Sequence, residues 1–530
     1  MSSPGDGGGP QGPPAVAEPA DPVPPPAPPA FTAPKPGDVR LRARIEELLR
    51  PDPAAGAAEA LARSQLHSLL VMRFGPGLAG AALDRDWLLA ALDREIAALD
   101  RLLNEQVNAI LHAPPVQRLE ARWRGLRYLA DAVEEGSQTK IKLLSASWTE
   151  VVRDLERASD FDQSDLFRKV YSQEFGMPGG EPFGLIVADY EVQHRPTEDH
   201  PTDDVSALKA LATVGAASFC PFVLGVSPRV FQVDSFRDFG RPFNLRTVFA
   251  QAEYQRWLSV RDGEDMRFIG LALPRILMRH PYPLDPARHD GFPFEEEVRG
   301  QDGDGHLWGA AGFAFARIVI RAFAQSGWFA DLRGAPRDEE RGGLVTDLPV
   351  VSFRTDRPGI AIKPSTECLL TEGHEQDLAD LGFMALRKMP FTPYSVFYAN
   401  PSIQAPKVYD RNLATVNARL SSMLQYILCV SRFAHYIKVM GRDRIGSVMT
   451  ADECQKFLEK WLREYCEGSD AAGLEAKARR PLRAAAVEVR EVAGRPGSYA
   501  CSIFLRPHFQ LDDISTGFRL TTELAPAGGA

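Results

Sequence analysis

The longest regular pattern of hydrophobic positions lies between Asp84 and about His112. Apolar residues recur there at spacings of four, four and three, the heptad rhythm of a helix that packs along one face. They are Leu88, Leu92, Ile96, Leu99, Leu103, Val107 and Ile110. Asp84 can cap this helix, and the Pro114-Pro115 pair is expected to end it. The pattern predicts one long helix, which fits either a core helix or a helix that packs between subunits.

Short apolar runs alternate with helical stretches from residue 183 onwards. Strands are predicted at 183–190, 220–226, 266–274, 348–353, 366–370, 382–386 and 395–399. Helices are predicted at 204–219, 241–261 and 309–327. Short apolar strands that alternate with helices are typical of α/β domains with a largely buried sheet. The fold class is therefore predicted as α/β, in a mixed α+β form.

The C-terminal part has a different rhythm, so we expect a domain boundary between 390 and 410. Helices are predicted at 411–440, 451–465 and 470–480. A β-rich end follows, with strands at 485–492 and 499–509 around a turn that contains Gly494, Pro496 and Gly497. A last strand is predicted at 518–524.

The N-terminal 36 residues contain 13 Pro and 5 Gly. Such a segment buries too little apolar surface to offset its ordering entropy, so we expect a disordered tail with polyproline character. It fits a tether or a ligand for a proline-binding module. Residues 38–50 then predict a short amphipathic helix that Pro51 ends. Its apolar face consists of Leu41, Ile45, Leu48 and Leu49.

Composition excludes several classes of protein. The 530 residues are 44% hydrophobic and 25% charged, as in soluble globular proteins, and the net charge of −9 argues against a dedicated nucleic-acid binder. We expect neither a signal peptide nor a transmembrane segment, because no apolar run reaches the necessary length. The six cysteines are scattered singly, which indicates reduced thiols in a cytosolic protein rather than a metal knuckle.

One glycine motif raises the possibility of a nucleotide-cofactor enzyme. Gly75, Gly77 and Gly80 match GxGxxG, and Glu95 follows 20 residues after the first glycine. A dinucleotide site needs a strand before the motif and a βαβ unit around it. The preceding residues predict helix, so a link between helices is the favoured interpretation.

No other motif supplies a catalytic constellation. Phe313 stands where a calcium loop beginning at Asp302 would need glutamate, and Leu378 stands where a zinc-protease helix beginning at His374 would need histidine. His435, on a predicted helix, is expected to be a core histidine. We therefore predict no catalytic residue, no metal and no cofactor, and a structural or assembly role rather than an enzyme.

Many segments together carry a resemblance to one family. Four of them are LEARWRGL at 119–126, GGEPFGLI at 179–186, SRFAHYIK at 431–438 and LRPHFQL at 505–511. Others lie at 110–114, 189–190, 273–275, 281–282, 307–309, 342–345, 348–349, 364–367, 381–383, 417–420, 442–446 and 478–482. In this order they resemble the large sheath subunit of the type VI secretion system, the TssC family, also called VipB or ImpC. The resemblance covers roughly residues 84–524.

The resemblance implies domains like those of phage tail sheaths, and a bacterial cytoplasmic protein in a membrane-docked apparatus. It implies that the chain pairs with a small sheath subunit (TssB/VipA-like) in a helical polymer, around an inner tube of Hcp-like protein and above a baseplate. Contraction would propel the inner tube and its spike, and a ClpV-type AAA+ unfoldase would disassemble the contracted sheath. It implies neither nucleic-acid binding nor membrane insertion.

The resemblance also suggests two candidate sites. The helix 38–50 is a candidate for recognition by the unfoldase. Terminal strands are exchanged between subunits in the family, which is β-augmentation. The candidate inter-subunit strand here comprises Ile503, Leu505, Arg506, His508 and Gln510.

Four regions follow from these arguments: a tail at 1–36, a linker with the candidate helix at 37–83, a sheath N-terminal α/β domain at 84–400, and a sheath C-terminal domain at 401–530. Two alternatives stay open. One is the sheath of another phage-tail-like contractile machine, and the other is the nucleotide-cofactor enzyme.

Overall fold

The computed structural model describes residues 72, 85–177, 179–241, 244–285, 292–298, 305–336, 339–350, 363–443, 450–469, 471–491, 499–508 and 518–524. The predicted tail, the helix 38–50, the Gly75–Gly80 motif, Gln510 and the predicted strand end at 351–353 lie outside these residues. The chain divides into two units, residues 1–103 and 104–530. Within the first unit, the described residues from Arg85 onwards are helical.

Twelve α-helices of five or more residues lie within the described ranges. They are α1 (Arg85–Leu111), α2 (Pro114–Ala130), α3 (Trp148–Arg157), α4 (Asp204–Ser218), α5 (Leu245–Phe249), α6 (Gln255–Arg261), α7 (Ala311–Ser326), α8 (Glu372–Asp380), α9 (Asn412–Ser421), α10 (Leu424–Asp443), α11 (Ala451–Arg463) and α12 (Leu474–Arg479). Short helical turns cover most of 161–175. The heptad pattern at 84–112 thus folds as the single long helix α1.

The strands form three sheets within the described residues. The strands are β1 (Ile186–Val192), β2 (Phe222–Val226), β3 (Ile269–Leu273), β4 (Ile276–Leu277), β5 (Trp308–Gly309), β6 (Leu344–Val345), β7 (Phe383–Lys388), β8 (Ser395–Phe397), β9 (Leu482–Glu491), β10 (Tyr499–Pro507) and β11 (Phe518–Leu524). The main sheet has the order β1-β2-β3-β7-β8-β6, in which β1, β2, β3 and β7 run parallel. β8 and β6 pair antiparallel at one edge, and β1 forms the other edge.

The period-two alternation of the strands distributes their side chains between two cores. Phe222 and Leu224 of β2 pack with α4 in one core, whereas Val223 between them packs with α7 in the other. Helices therefore cover both faces of the main sheet, which explains why its strands are continuously apolar. This is the mixed α/β arrangement that the sequence predicts.

The C-terminal part has a core of its own. α10 and α11 pack against the three-stranded antiparallel sheet β9-β10-β11. Phe433 of α10 stacks on Trp328 with ring centroids 4.0 Å apart. Leu424 and Leu428, at the start of α10, belong to the core under the main sheet. α10 therefore joins the main sheet to the C-terminal sheet.

The predicted strand at 366–370 is wrong. Only Thr366 forms an isolated bridge, to Ile276, and its hydroxyl donates to the carbonyl of Cys368 at 2.8 Å. This local side-chain bond holds a turn in place of an extended ladder.

Two long predicted helices are each interrupted. The segment 241–261 forms α5 and α6, because Gln251 between them has an extended backbone (φ −72°, ψ 151°). The side chain of Asn244 caps the start of α5 by accepting bonds from the backbone of Arg246 and Thr247. The segment 411–440 breaks after Ser421, where the Ser422 carbonyl accepts from the Ser402 backbone at 3.0 Å. The loop that contains Ser402 therefore binds a carbonyl group that a continuous helix from α9 into α10 would use.

Candidate assembly surfaces

The described residues contain no cluster of three or more His, Cys, Asp or Glu side chains that could hold a metal ion. Among the helices described, none is both long and apolar enough to cross a membrane. His435 is fully buried, and its Nε2 lies 3.1 Å from the carbonyl oxygen of Ser218. Burial, assisted by the charge of Arg432, lowers the pKa of His435 to about 3. A neutral ring that donates to a backbone carbonyl is a structural histidine, as the sequence suggests.

Two asparagine side chains of α1 form hydrogen bonds with the backbone of residues 295–297. The Asn108 amide donates to the Glu295 carbonyl at 3.0 Å, and its oxygen accepts from the Glu297 backbone at 2.9 Å. The Asn104 oxygen accepts from the Glu295 backbone at 2.9 Å. These three bonds fix the part of α1 from Asn104 onwards to residues 295–297.

Four residues of the apolar stripe of α1 are largely exposed, and Val107 is half-buried. The exposed fractions are 55% for Ile96, 58% for Leu99, 47% for Leu103 and 58% for Ile110. A helix in a globular domain normally turns its apolar face inward. Most of the other described side chains of α1 are exposed as well, and a heptad stripe of this kind is suited to a helix of another chain.

A buried arginine fixes the segment that α1 contacts. Arg279 pairs bidentately with Glu120 of α2 and with Glu296, and the Glu296 carboxylate accepts from the Tyr282 backbone at 2.9 Å. Burial tends to raise the pKa of Glu120, but its bonds to Arg279 and Arg124 outweigh burial and lower that pKa. Glu296 lies between Glu295 and Glu297, whose backbones bond to Asn104 and Asn108. The ion pairs of Glu296 therefore hold the segment to which these asparagines bind.

The candidate inter-subunit strand lies inside the C-terminal sheet. β10 pairs with β9 on one side and β11 on the other, and Ile503 and Leu505 are fully buried beneath it. The backbone of His508 donates to Pro481 at 2.9 Å, and Arg506 pairs with Ala484 of β9. The edges of this sheet that another strand could reach are those of β9 and β11.

Sequence reasoning missed α2 and the surface that follows it. Pro114 and Pro115 follow the end of α1 and also begin α2. Proline is tolerated there because the amide groups of the first helical turn have no partner within the helix. Leu119 and Trp123 of α2 are exposed, as are Leu143 and Leu144 beyond it. Exposed apolar residues of this kind, concentrated in one part of a chain, mark interaction surfaces.

Comparisons with known proteins agree on one kind of relative. Two models of the VipB family match, the EvpB/VC_A0108 tail sheath N-terminal domain over residues 93–404 and the tail sheath gpW/gp25-like domain over residues 413–524. The chain is also 37% identical over 505 residues to the type VI secretion system sheath protein TssC1 of Pseudomonas aeruginosa. That alignment covers 91% of this chain and 99% of the relative.

Proposed function

The chain belongs to the VipB (EvpB) family of tail sheath proteins, and from this premise we propose that it is the large subunit of a type VI secretion sheath. The observation that carries this proposal is the match to both tail sheath domains, in order, over residues 93–404 and 413–524. A sheath subunit works by packing against its neighbours, so its role is structural and needs no catalytic residues.

In this proposal a small sheath subunit of the TssB/VipA kind covers α1. Its own contribution would be an amphipathic helix against Ile96, Leu99, Leu103 and Ile110, whose exposure supports a permanent partner. Obligate interfaces are more apolar than transient ones, because their surfaces are never free in water. The two-chain units then repeat by heterologous contacts, which do not close and so generate a helical tube.

The remaining partners follow from the same proposal. The tube surrounds an Hcp-like inner tube, stands on a baseplate in the bacterial cytoplasm, and contracts to propel the inner tube and spike. Strand exchange between neighbouring subunits would use the outer strands of the C-terminal sheet, since β10 with Ile503 and Leu505 already has two partners. A ClpV-type AAA+ unfoldase would bind the helix 38–50 through Leu41, Ile45, Leu48 and Leu49.

Co-purification tests the pairing. We expect this chain and the small sheath subunit, expressed together with a tag on the small subunit only, to purify in equal amounts. A chain that remains soluble and monomeric in the presence of the small subunit would contradict the proposal. A chain that polymerises without it would indicate a single-protein sheath of another contractile machine.

A further inference from the structure

The turn between β7 and β8, residues 389–394, presents a large aromatic side chain at its tip. Phe391 is 96% exposed, more than any other large hydrophobic side chain among the described residues. Its backbone has a φ of 62°, in the left-handed region that is unfavourable for every residue with a bulky side chain. Strain of this kind is concentrated at functional sites. Neither burial nor a relaxed backbone explains a phenylalanine here, so a contact outside the chain is the remaining reason for it.

The turn is rigid, and we call it the hairpin tip. The Met389 backbone donates to the Tyr394 carbonyl at 2.8 Å, and the Thr392 hydroxyl donates to the Met389 carbonyl at 3.2 Å. Pro390 and Pro393 fix two further backbone angles of the turn. A side chain presented by such a turn is preorganised, which lowers the entropic cost of binding.

The same chain carries an open hollow of suitable size. The hollow has a volume of about 540 Å³ and is bounded by the end of α2 and the turn that follows it. Ala130, Val133 and Ile141 supply its apolar lining. A cavity of about 150 Å³ with an apolar lining already holds benzene, so this hollow has room for a phenylalanine ring.

The charges beside the two surfaces are complementary. Glu134 and Glu135 line the hollow and are exposed, and neither forms an ion pair with another described residue. Lys388 lies at the base of the hairpin tip. Burial and the positive charge of the nearby Lys363 lower the pKa of Lys388. Two lysines beside the aromatic ring and two carboxylates beside the hollow favour one orientation of a contact between them.

We propose that the hairpin tip of one copy of this chain inserts Phe391 into the hollow beside Ile141 of a second copy. Within one chain the ring is exposed and the hollow is open, so each surface lacks its complement. An apolar side chain and a pocket elsewhere on the same chain make a heterologous contact, which repeats without closing and generates a filament. The contact would link successive two-chain units of the tube, and in this respect the inference rests on the proposed function.

Photo-crosslinking identifies the occupant of the hollow. Two full-length forms of this chain with different tags, both with benzoylphenylalanine at position 391, are assembled with the small sheath subunit. We expect crosslinked dimers that contain both tags, with the link at residues 130–141. Benzoylphenylalanine in place of Tyr409, another exposed aromatic residue, is the control.

Three results of this experiment would overturn the inference. They are links to the small sheath subunit, links confined to one chain, and links no more frequent than from position 409. Absence of tubes from the wild-type chains would instead refute the proposed function, and the inference with it.

Phe391→Gly separates an assembly contact from a role in the fold. Glycine adopts a positive φ without strain, so the isolated complex of the two chains should melt no lower than the wild-type complex. Loss of a buried aromatic anchor should raise the protein concentration required for tube assembly by about tenfold or more. Tyr409→Ala, the matched control, should stay within about threefold. Equal concentrations for the two variants, or a lower melting temperature for Phe391→Gly, would contradict the proposed contact.

Exchange of the charges tests which surfaces meet. Lys388→Glu should raise the concentration required for assembly, because it places a third carboxylate beside Glu134 and Glu135. Addition of Glu134→Lys and Glu135→Lys to this variant should restore assembly, since residues in contact are coupled whereas distant residues act independently. A triple variant that assembles no better than Lys388→Glu would show that the hairpin tip and the hollow do not meet.

Discussion

Removal of the exposed stripe of α1 should separate this chain from its small partner without unfolding the helix. The variant carries Ile96→Ala, Leu99→Ala, Leu103→Ala and Ile110→Ala. Alanine has the highest helix propensity, so the helix itself is expected to remain. Circular dichroism of the complex-free chain checks that the helical content is unchanged.

The magnitude follows from the exposed fractions of these four side chains, which lie between 47% and 58%. Burial of a whole leucine or isoleucine contributes roughly 1.5–3 kcal/mol, so covering half of one contributes about 1 kcal/mol. Four such residues give about 4 kcal/mol, which corresponds to about a thousandfold change in Kd.

A fluorescence titration with labelled small sheath subunit measures this change. The control variant, Arg101→Ala with Glu105→Ala, removes two exposed side chains from the opposite face of the same helix and should leave the Kd within threefold. A stripe variant that binds within threefold of the wild type would show that the stripe is not the contact surface, and our account of α1 would be wrong.

Three further predictions concern stability and disassembly. Asp204 accepts hydrogen bonds from Trp148, Gln193 and Thr202 in the core. Asp204→Ala should therefore lower the free energy of unfolding, measured by urea denaturation, by about 3–5 kcal/mol. The loss should be clearly larger than the loss caused by Asp204→Asn. Below pH 6.5 the unfolded chain protonates His435 whereas the fold resists protonation until about pH 3, so stability should decline as the pH falls through this range. His435→Gln should reduce that pH dependence. An unchanged slope of melting temperature against pH in this variant would show that His435 is not its source. Deletion of 38–50 should leave tube assembly intact and abolish binding of the unfoldase, so retained binding would exclude this helix.

The heptad pattern of α1 was readable from the local sequence, but the contacts that hold its C-terminal end were not. The end of α1 is held by Asn104 and Asn108, whose partners at 295–297 lie about 190 residues away in the sequence. Sequence periodicity identifies an apolar stripe, and only tertiary contacts decide whether the same chain covers it. For this reason the core and the inter-subunit interpretations could not be separated from the sequence.

The same limit applies elsewhere in the chain. The alternation in β10 predicts a strand with buried Ile503 and Leu505, yet its central position depends on β11, which lies beyond residues 509–517. The break after Ser421 is imposed by the pairing of Ser402 with Ser422, for which the helical pattern contains no signal. The proline pair after α1 did carry a signal for the start of α2, because proline is favoured in the first helical turn.

Negative-stain electron microscopy of this chain expressed with and without the small sheath subunit tests the central claim most directly. The two-component sheath predicts long hollow tubes in the co-expression and none from this chain alone. Tubes from this chain alone would assign it to a single-protein contractile machine. Discrete globular particles in both samples would contradict the sheath function itself.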